Sequence, residues 1–299
     1  MCLIALAIHA STRWPLVIAS NRDEFYDRPA LPLASWQTDS GQTVISGRDM
    51  RAGGTWLGMT PGGRIAMLTN VRELPQTGAP KSRGELALRW LEGDMSAEQF
   101  MARTDSEAYG GFNLVVGDFE AGCWTWLSNR SFAPRSGGAP GSRPTGDGWQ
   151  STRLPPGVYG LSNAALNTPW PKTQALTAAL TTALARLDPM NGAVALEEAL
   201  WAALASRQSA AASDLPDTGL PVALEKALSS AFVEAPARGY GTRCSTLVVV
   251  SREKDGLAAG GCSVRVEEKT HLFAPGKSPA SISSCAHLNW AQALLPAQA

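Results

Sequence analysis

The chain has 299 residues, 26 basic and 26 acidic side chains and a formal net charge of zero, enough length for one large domain or two modest ones with a substantial core. Balanced charge without a dense basic stripe leaves no electrostatic footprint for nucleic acid or an anionic membrane surface. No stretch reaches the roughly 18 to 20 uninterrupted apolar residues of a membrane span. Cys2, Cys123, Cys244, Cys262 and Cys285 are widely spread without a C-x-x-C pair, and His9, His271 and His287 lack metal-site spacing. Neither a disulfide framework nor a metal site is indicated. His9, Arg13 and Pro15 interrupt the apolar start of the chain, so no secretory signal is read. A soluble, cytoplasmic protein that is not an integral membrane protein is expected.

Two β-rich runs open the sequence, residues 2–9 and 15–20, and read as a hairpin. If His9 pairs near Pro15, antiparallel partners have numbers summing to about 24, which sets Asn21-Arg22-Asp23-Glu24 beside Cys2. A second hairpin is predicted from residues 53–59 and 64–70 around the turn Pro61-Gly62-Gly63. Ser82 with Glu85 three residues on reads as a capping box opening a helix, and a short helix follows over 96–103. Strands are predicted at 112–117 and 123–127. Residues 129–157 turn to Ser, Gly, Pro and Arg and read as a flexible surface insertion. A short strand at 158–162 precedes Pro169-Trp170-Pro171, which suits a helix start, and helical patterns cover 175–187, 192–206 and 222–231. Strands return at 245–251 and 262–273. Strand runs on both sides of a helical block indicate α+β layering. Gly53-Gly54 and Gly62-Gly63 lack the context of a phosphate loop and read as turn glycines. Trp14, Trp56 and Trp170 read as core or rim packing.

Cys2 directly follows Met1. Removal of Met1 would expose a thiol and an α-amine on one residue, titrating near ~8.5 and ~8 in model peptides. That is the pairing of an N-terminal nucleophile. A buried, inert strand cysteine fits the same position.

Cys2, Asn21-Arg22-Asp23-Glu24, Gly53 to Gly58, Leu68-Thr69-Asn70-Val71-Arg72, Gly160-Leu161-Ser162-Asn163 and Gly241-Thr242-Arg243, in this order, resemble the NRDE family, also called the transport and Golgi organisation protein 2 family. The blocks Ser82 to Leu86, Gly111 to Leu114 and Thr168 to Lys172 look like the family too, and the resemblance runs from Cys2 to about Phe273. It implies one N-terminal nucleophile hydrolase-like domain over residues 1–299. The implied fold is a four-layer αββα sandwich of two antiparallel sheets between helical layers. More distantly the chain is similar to bile salt hydrolases and penicillin V acylases. That likeness implies Cys2 as nucleophile, with Asn21, Asp23, Asn70 and Asn163 as matching site residues.

On chemical grounds a Cys2 thiolate would attack a carbonyl and its α-amine would relay the proton to the leaving group. Asp23 would orient the ammonium. Asn70 and Asn163 would donate to the oxyanion, at ~3 to 4 kcal/mol per well-placed donor, or simply cap turns. Arg22, Glu24 and Arg243 are candidate substrate-binding residues. Arg22 with Asp23 would equally suit a structural network, and Arg243 either an anionic group on the ligand or a lock on the strand edge. Two functions are therefore expected as alternatives. The first is hydrolysis of a C–N amide or thioester in a small acyl substrate. The second is a non-enzymatic carrier of haem, an acyl chain or acyl-CoA, since the resemblance brings connections with haem trafficking and lipid metabolism. No cofactor is required by either; haem enters as a transported ligand, without a Cys-Pro dipeptide or a histidine pair to hold it.

Overall fold

The computed structural model describes residues 2–73, 78–132, 148–186, 192–252, 261–273 and 280–291. β1 (Cys2–Ile8) and β2 (Leu16–Phe25) form the opening hairpin, and Cys2 pairs with Arg22, the predicted sum of 24. β2 has β12 (Tyr240–Arg252) on its other side, followed by β13 (Gly261–Leu272) and β14 (Ala280–Ala291). β10 (Gly157–Leu161) flanks β1, and the two-residue β11 (Glu234–Ala235) pairs with β12. The second sheet runs in chain order: β3 (Ala30–Gln37), β4 (Thr43–Asp49), β5 (Leu57–Met59), β6 (Arg64–Asn70), β7 (Phe112–Asp118), β8 (Cys123–Ser128) and β9 (Gln150–Arg153). All strand pairings within both sheets are antiparallel.

Alternation along the strands builds the layers. Ile4, Leu6, Ile8, Leu16 and Ile18 meet Ile45, Met59, Ile65, Met67 and Trp126 between the sheets. On the outer face of the first sheet, Leu3, Ala5, Ala7, Val17 and Ala19 pack against Leu176 and Leu180 of α3 (Pro171–Ala185) and Leu196 and Leu200 of α4 (Gly192–Leu204). On the outer face of the second, Ala66, Leu68, Leu114 and Val116 pack against α1 (Gly84–Glu92) and α2 (Ala97–Ala102) through Leu86, Trp90 and Phe100. The result is the expected α+β sandwich of two antiparallel sheets between helical layers. No described helix is long and apolar enough to cross a membrane.

Some expectations are met and others corrected. Ser82 does not cap α1: Arg83 is the N-cap residue without a side-chain cap bond, and the Glu85 carboxylate accepts instead from Tyr109. Ser96 with Gln99 forms a true capping box on α2. α3 starts at Pro171, its ring at the first helical position where no N–H is needed. α5 (Val222–Ala227) is shorter than predicted. Of the segment 129–157, residues 133–147 lie outside the described residues, and its flanks take part in the fold. Asn129 is fully buried and donates to the carbonyls of Ser106, Tyr109 and Gly110, Trp149 is buried, and Gln150–Arg153 adds β9 to β8.

Candidate active site

Cys2 continues the inward-facing row of Ile4, Leu6 and Ile8, so its thiol looks into the end of the space between the sheets. Its cross-strand partner Arg22 lies on the same face, as directly opposed residues must. Here the apolar filling stops and a cleft of about 790 Å³ opens, bordered by Cys2, Arg22, Asp23 and Glu24 from the first sheet, Trp56, Leu68 and Asn70 from the second, and Arg83 and Tyr109 beyond. The Arg22 guanidinium lies 4.2 Å from the Trp56 ring centre and makes ion-pair contacts with Asp49 at 3.4 Å and Glu24 at 3.8 Å. His9 stacks on Phe119, His271 bonds Ser245 and His287 neighbours Cys285, so none of the three histidines borders the cleft.

The odd-numbered residues of β2 face the helical layer. Asn21 is fully buried there, its Nδ2 donating to the carbonyls of Leu204 at 2.9 Å and Ala231 at 2.8 Å. Both amide protons are spent on backbone, and Asn21 does not border the cleft. Asp23, two residues on, reaches the cleft edge; its Oδ1 accepts from Thr242 Oγ1 at 2.7 Å and its carbonyl from Tyr240 at 3.0 Å. Arg243 is also brought elsewhere. The register of β12 against β2 jumps between Thr242 and Cys244, leaving Arg243 as the extra residue of a bulge. Its Nη1 donates to the carbonyls of Phe25, Tyr26 and Arg28 at 2.8, 3.0 and 3.1 Å, the strand-edge lock rather than a cleft wall.

The asparagines from β6 and the end of β10 do meet. Ser162 Oγ donates to the Cys2 carbonyl at 3.0 Å and lies 3.2 Å from Asn163 Oδ1. Asn163 Nδ2 in turn donates to the carbonyl and Oδ1 of Asn70, at 2.9 and 3.1 Å. Both Asn163 amide protons are thus occupied in orienting Asn70. The Asn70 amide is held by its oxygen on the cleft wall, and its N–H groups have no partner among the described residues.

Sequence reasoning missed a second group of charges behind Asp23. Lys172 is buried in the first turn of α3, its Nζ donating to the Leu228 carbonyl at 3.0 Å. A cation there opposes the helix dipole, which was the one signal available in the sequence. Burial pulls the Lys172 ammonium down to about 8, with Asp23 opposing that shift. Arg72, stacked 4.6 Å from the Trp170 ring centre, pairs with buried Glu225. Burial raises the Asp23 carboxyl, against Lys172, the positive amino end of the chain, Thr242 and Arg72. Burial likewise raises the Cys2 thiol, only partly offset by the amino-terminal charge and Arg22. The thiol is therefore protonated at neutral pH until a base takes its proton.

The model of the family described as "Transport and Golgi organisation 2" matches residues 1–259. The transport and Golgi organization protein 2 homolog of Bos taurus is 31% identical over 295 residues, covering 91% of this chain and 99% of that one. The Homo sapiens homolog is 29% identical over 270 residues, covering 85% and 90%. Among solved structures, the fold has distant likenesses to a Caenorhabditis elegans N-acylethanolamine-hydrolyzing acid amidase ortholog and a Clostridium perfringens conjugated bile acid hydrolase. The first has a TM-score of 0.45 at 11% identity, covering 83% of this chain and 92% of that one. The second has 0.39 at 9%, covering 100% and 99%. By its family match and its curated relatives, this chain belongs to the transport and Golgi organisation 2 family.

Proposed function

We propose that the protein is a cysteine N-terminal nucleophile hydrolase that cleaves an amide or thioester bond of a small acyl substrate. One observation carries the reading: the Cys2 thiol borders a polar cleft shared with Asn70, whose amide is oriented by Asn163 through a chain of hydrogen bonds that begins at the Cys2 carbonyl. Removal of Met1 would place an α-amine on the residue whose thiol needs a base. That amine accepts the thiol proton, the thiolate attacks the carbonyl carbon, and the proton passes to the departing nitrogen or sulfur; water, deprotonated by the same amine, then attacks the Cys2 thioester, releasing the acid and restoring the thiol. Asp23 holds the ammonium form. Asn70 donates to the oxyanion, and Asn163 acts through Asn70 as a positioning residue. Asn21 and Arg243 support the backbone around this site. The charged cleft wall of Arg22, Glu24, Asp49 and Arg83 suits a polar ligand better than haem or a long acyl chain, and so counts against those two versions of a carrier.

p-Nitrophenyl acetate tests the reaction without knowledge of the natural substrate. The thiolate displaces p-nitrophenolate and leaves an acetyl thioester, seen as added mass on the Cys2 peptide that decays as water releases acetate. No acetylation of Cys2 above that of Cys123 and Cys285, the two exposed cysteines, would overturn the proposal.

A further inference from the structure

The cleft holds two guanidinium groups whose hydrogen-bonding capacity is not spent. Arg22 is 5% exposed, yet its Nη1 has no partner among the described residues, and only its Nη2 reaches Asp49. A buried guanidinium N–H without an acceptor is costly unless a ligand supplies one. Arg83, at the N-terminus of α1, donates through Nη1 to the Gly111 carbonyl at 3.0 Å and has no carboxylate within ion-pair distance among the described residues. Burial draws its pKa below the ordinary guanidinium range, with Glu24, Glu73 and Cys2 close enough to oppose that shift and Arg28 adding to it.

The neighbouring carboxylates are shared with other donors. Asp49 accepts from Arg28 Nε at 2.6 Å and from the backbone of Arg51 and Ala52. Glu73 takes Arg130 in a two-pronged pair at 2.6 and 2.7 Å and the Gly111 N–H as well. Glu24 accepts from the Phe25 N–H at 2.9 Å and stands 3.8 and 3.9 Å from Arg22 and Arg28. Two cations with donors that have no partner among the described residues therefore face the same cleft as the Cys2 thiol, one of them its direct cross-strand partner. Planar guanidinium donors of this kind match the oxygens of a carboxylate or phosphate.

We propose that Arg22 and Arg83 form a subsite for an anionic oxygen group beside Cys2, so that the substrate is a small acyl compound carrying a carboxylate or phosphate a few bonds from the carbonyl attacked. The substrate clause rests on the hydrolase reading; the subsite does not. The positive field orients the anion while the neighbouring carbonyl lies over the thiol, which supplies proximity without a further residue.

The test compares alkylation of Cys2 by iodoacetate and iodoacetamide in the full chain, resolved by peptide mass, with Cys123 and Cys285 as internal references. The subsite predicts an iodoacetate to iodoacetamide rate ratio about tenfold higher at Cys2 than at the references, the size of one charge-assisted contact. Arg83→Gln should bring the ratio to that of the references, Arg83→Lys should keep part of it, and Arg22→Lys, which retains a charge for Asp49, should lower it. Because it is a ratio within one sample, general loss of fold moves both reagents together. Protection against iodoacetate by acetate alone assigns a carboxylate site, and protection by inorganic phosphate as well assigns an oxyanion site of either kind. A wild-type ratio equal to that of the references, an unchanged ratio in Arg83→Gln, or protection by neither anion would overturn the subsite. A raised ratio with slow iodoacetamide labelling would keep the subsite and count against the hydrolase.

Discussion

Asn21 lies within the motif that resembles a catalytic segment, yet its two amide protons hold the carbonyls of Leu204, at the end of α4, and Ala231. Replacing Asn21 with Ala removes two buried neutral hydrogen bonds and leaves two carbonyls without that donor, at about 1–2 kcal/mol each, so about 2–4 kcal/mol in all. At ~2.1 cal/mol/K of unfolding entropy per residue, a chain of this length converts that into a fall in Tm of about 3–6 °C. The Cys2 thiol faces the opposite side of the sheet, so its alkylation rate at 20 °C in Asn21→Ala should stay within about twofold of wild type, well inside one 1.4 kcal/mol step. Differential scanning calorimetry and peptide-resolved iodoacetamide labelling read the two effects separately. An unchanged Tm together with a tenfold or greater loss of Cys2 reactivity would refute the assignment of Asn21 to the scaffold.

Glu225→Ala strands the Arg72 guanidinium among buried groups, side-chain exposure being 5% for Arg72 and 3% for Glu225, and should cost about 3–5 kcal/mol in urea unfolding; a loss below about 1 kcal/mol would show the pair to be dispensable. Burial first, then Arg207 and Lys269, hold His271 down to about 4, against an ordinary value of 6.5. Its folded pKa is depressed, so the stability it contributes is complete above pH 6.5 and is lost as pH falls toward 4. The loss should be about 1–2 kcal/mol after allowance for solvent screening, and His271→Gln should flatten that part of the stability profile.

The opening hairpin was legible in the sequence because both strands are buried on both faces and their apolar runs fix the register, so Arg22 could be set opposite Cys2 by counting alone. β3 and β14 gave no such signal. β3 is an edge strand with Pro32, a register shift and mostly exposed side chains, and β14 is an edge strand mixing Ser, Ala, His and Asn. At the cleft, Cys2, Asp23, Asn70 and Asn163 could be named as candidates from their motifs, but the partners of each side chain could not. The carbonyls that Asn21 holds, the bulge that expels Arg243 and the spending of both Asn163 protons on Asn70 are all consequences of tertiary pairing. Lys172 and Arg72, which meet near Asp23, and Arg83, which lies near Glu24 and Cys2, come from separate segments and take these places only in the folded chain.

The most direct measurement of the central claim is the rate of Cys2 carboxamidomethylation from pH 5 to 9, with intact mass establishing whether Met1 is present. With Met1 removed, the account predicts that Cys2 labels faster than Cys123 and Cys285 at pH 7, with an inflection near the ~8 of the α-amine that takes the thiol proton and a lower rate in Asp23→Asn. Retention of Met1 on the native protein, or a Cys2 profile that follows the two exposed cysteines, would contradict it.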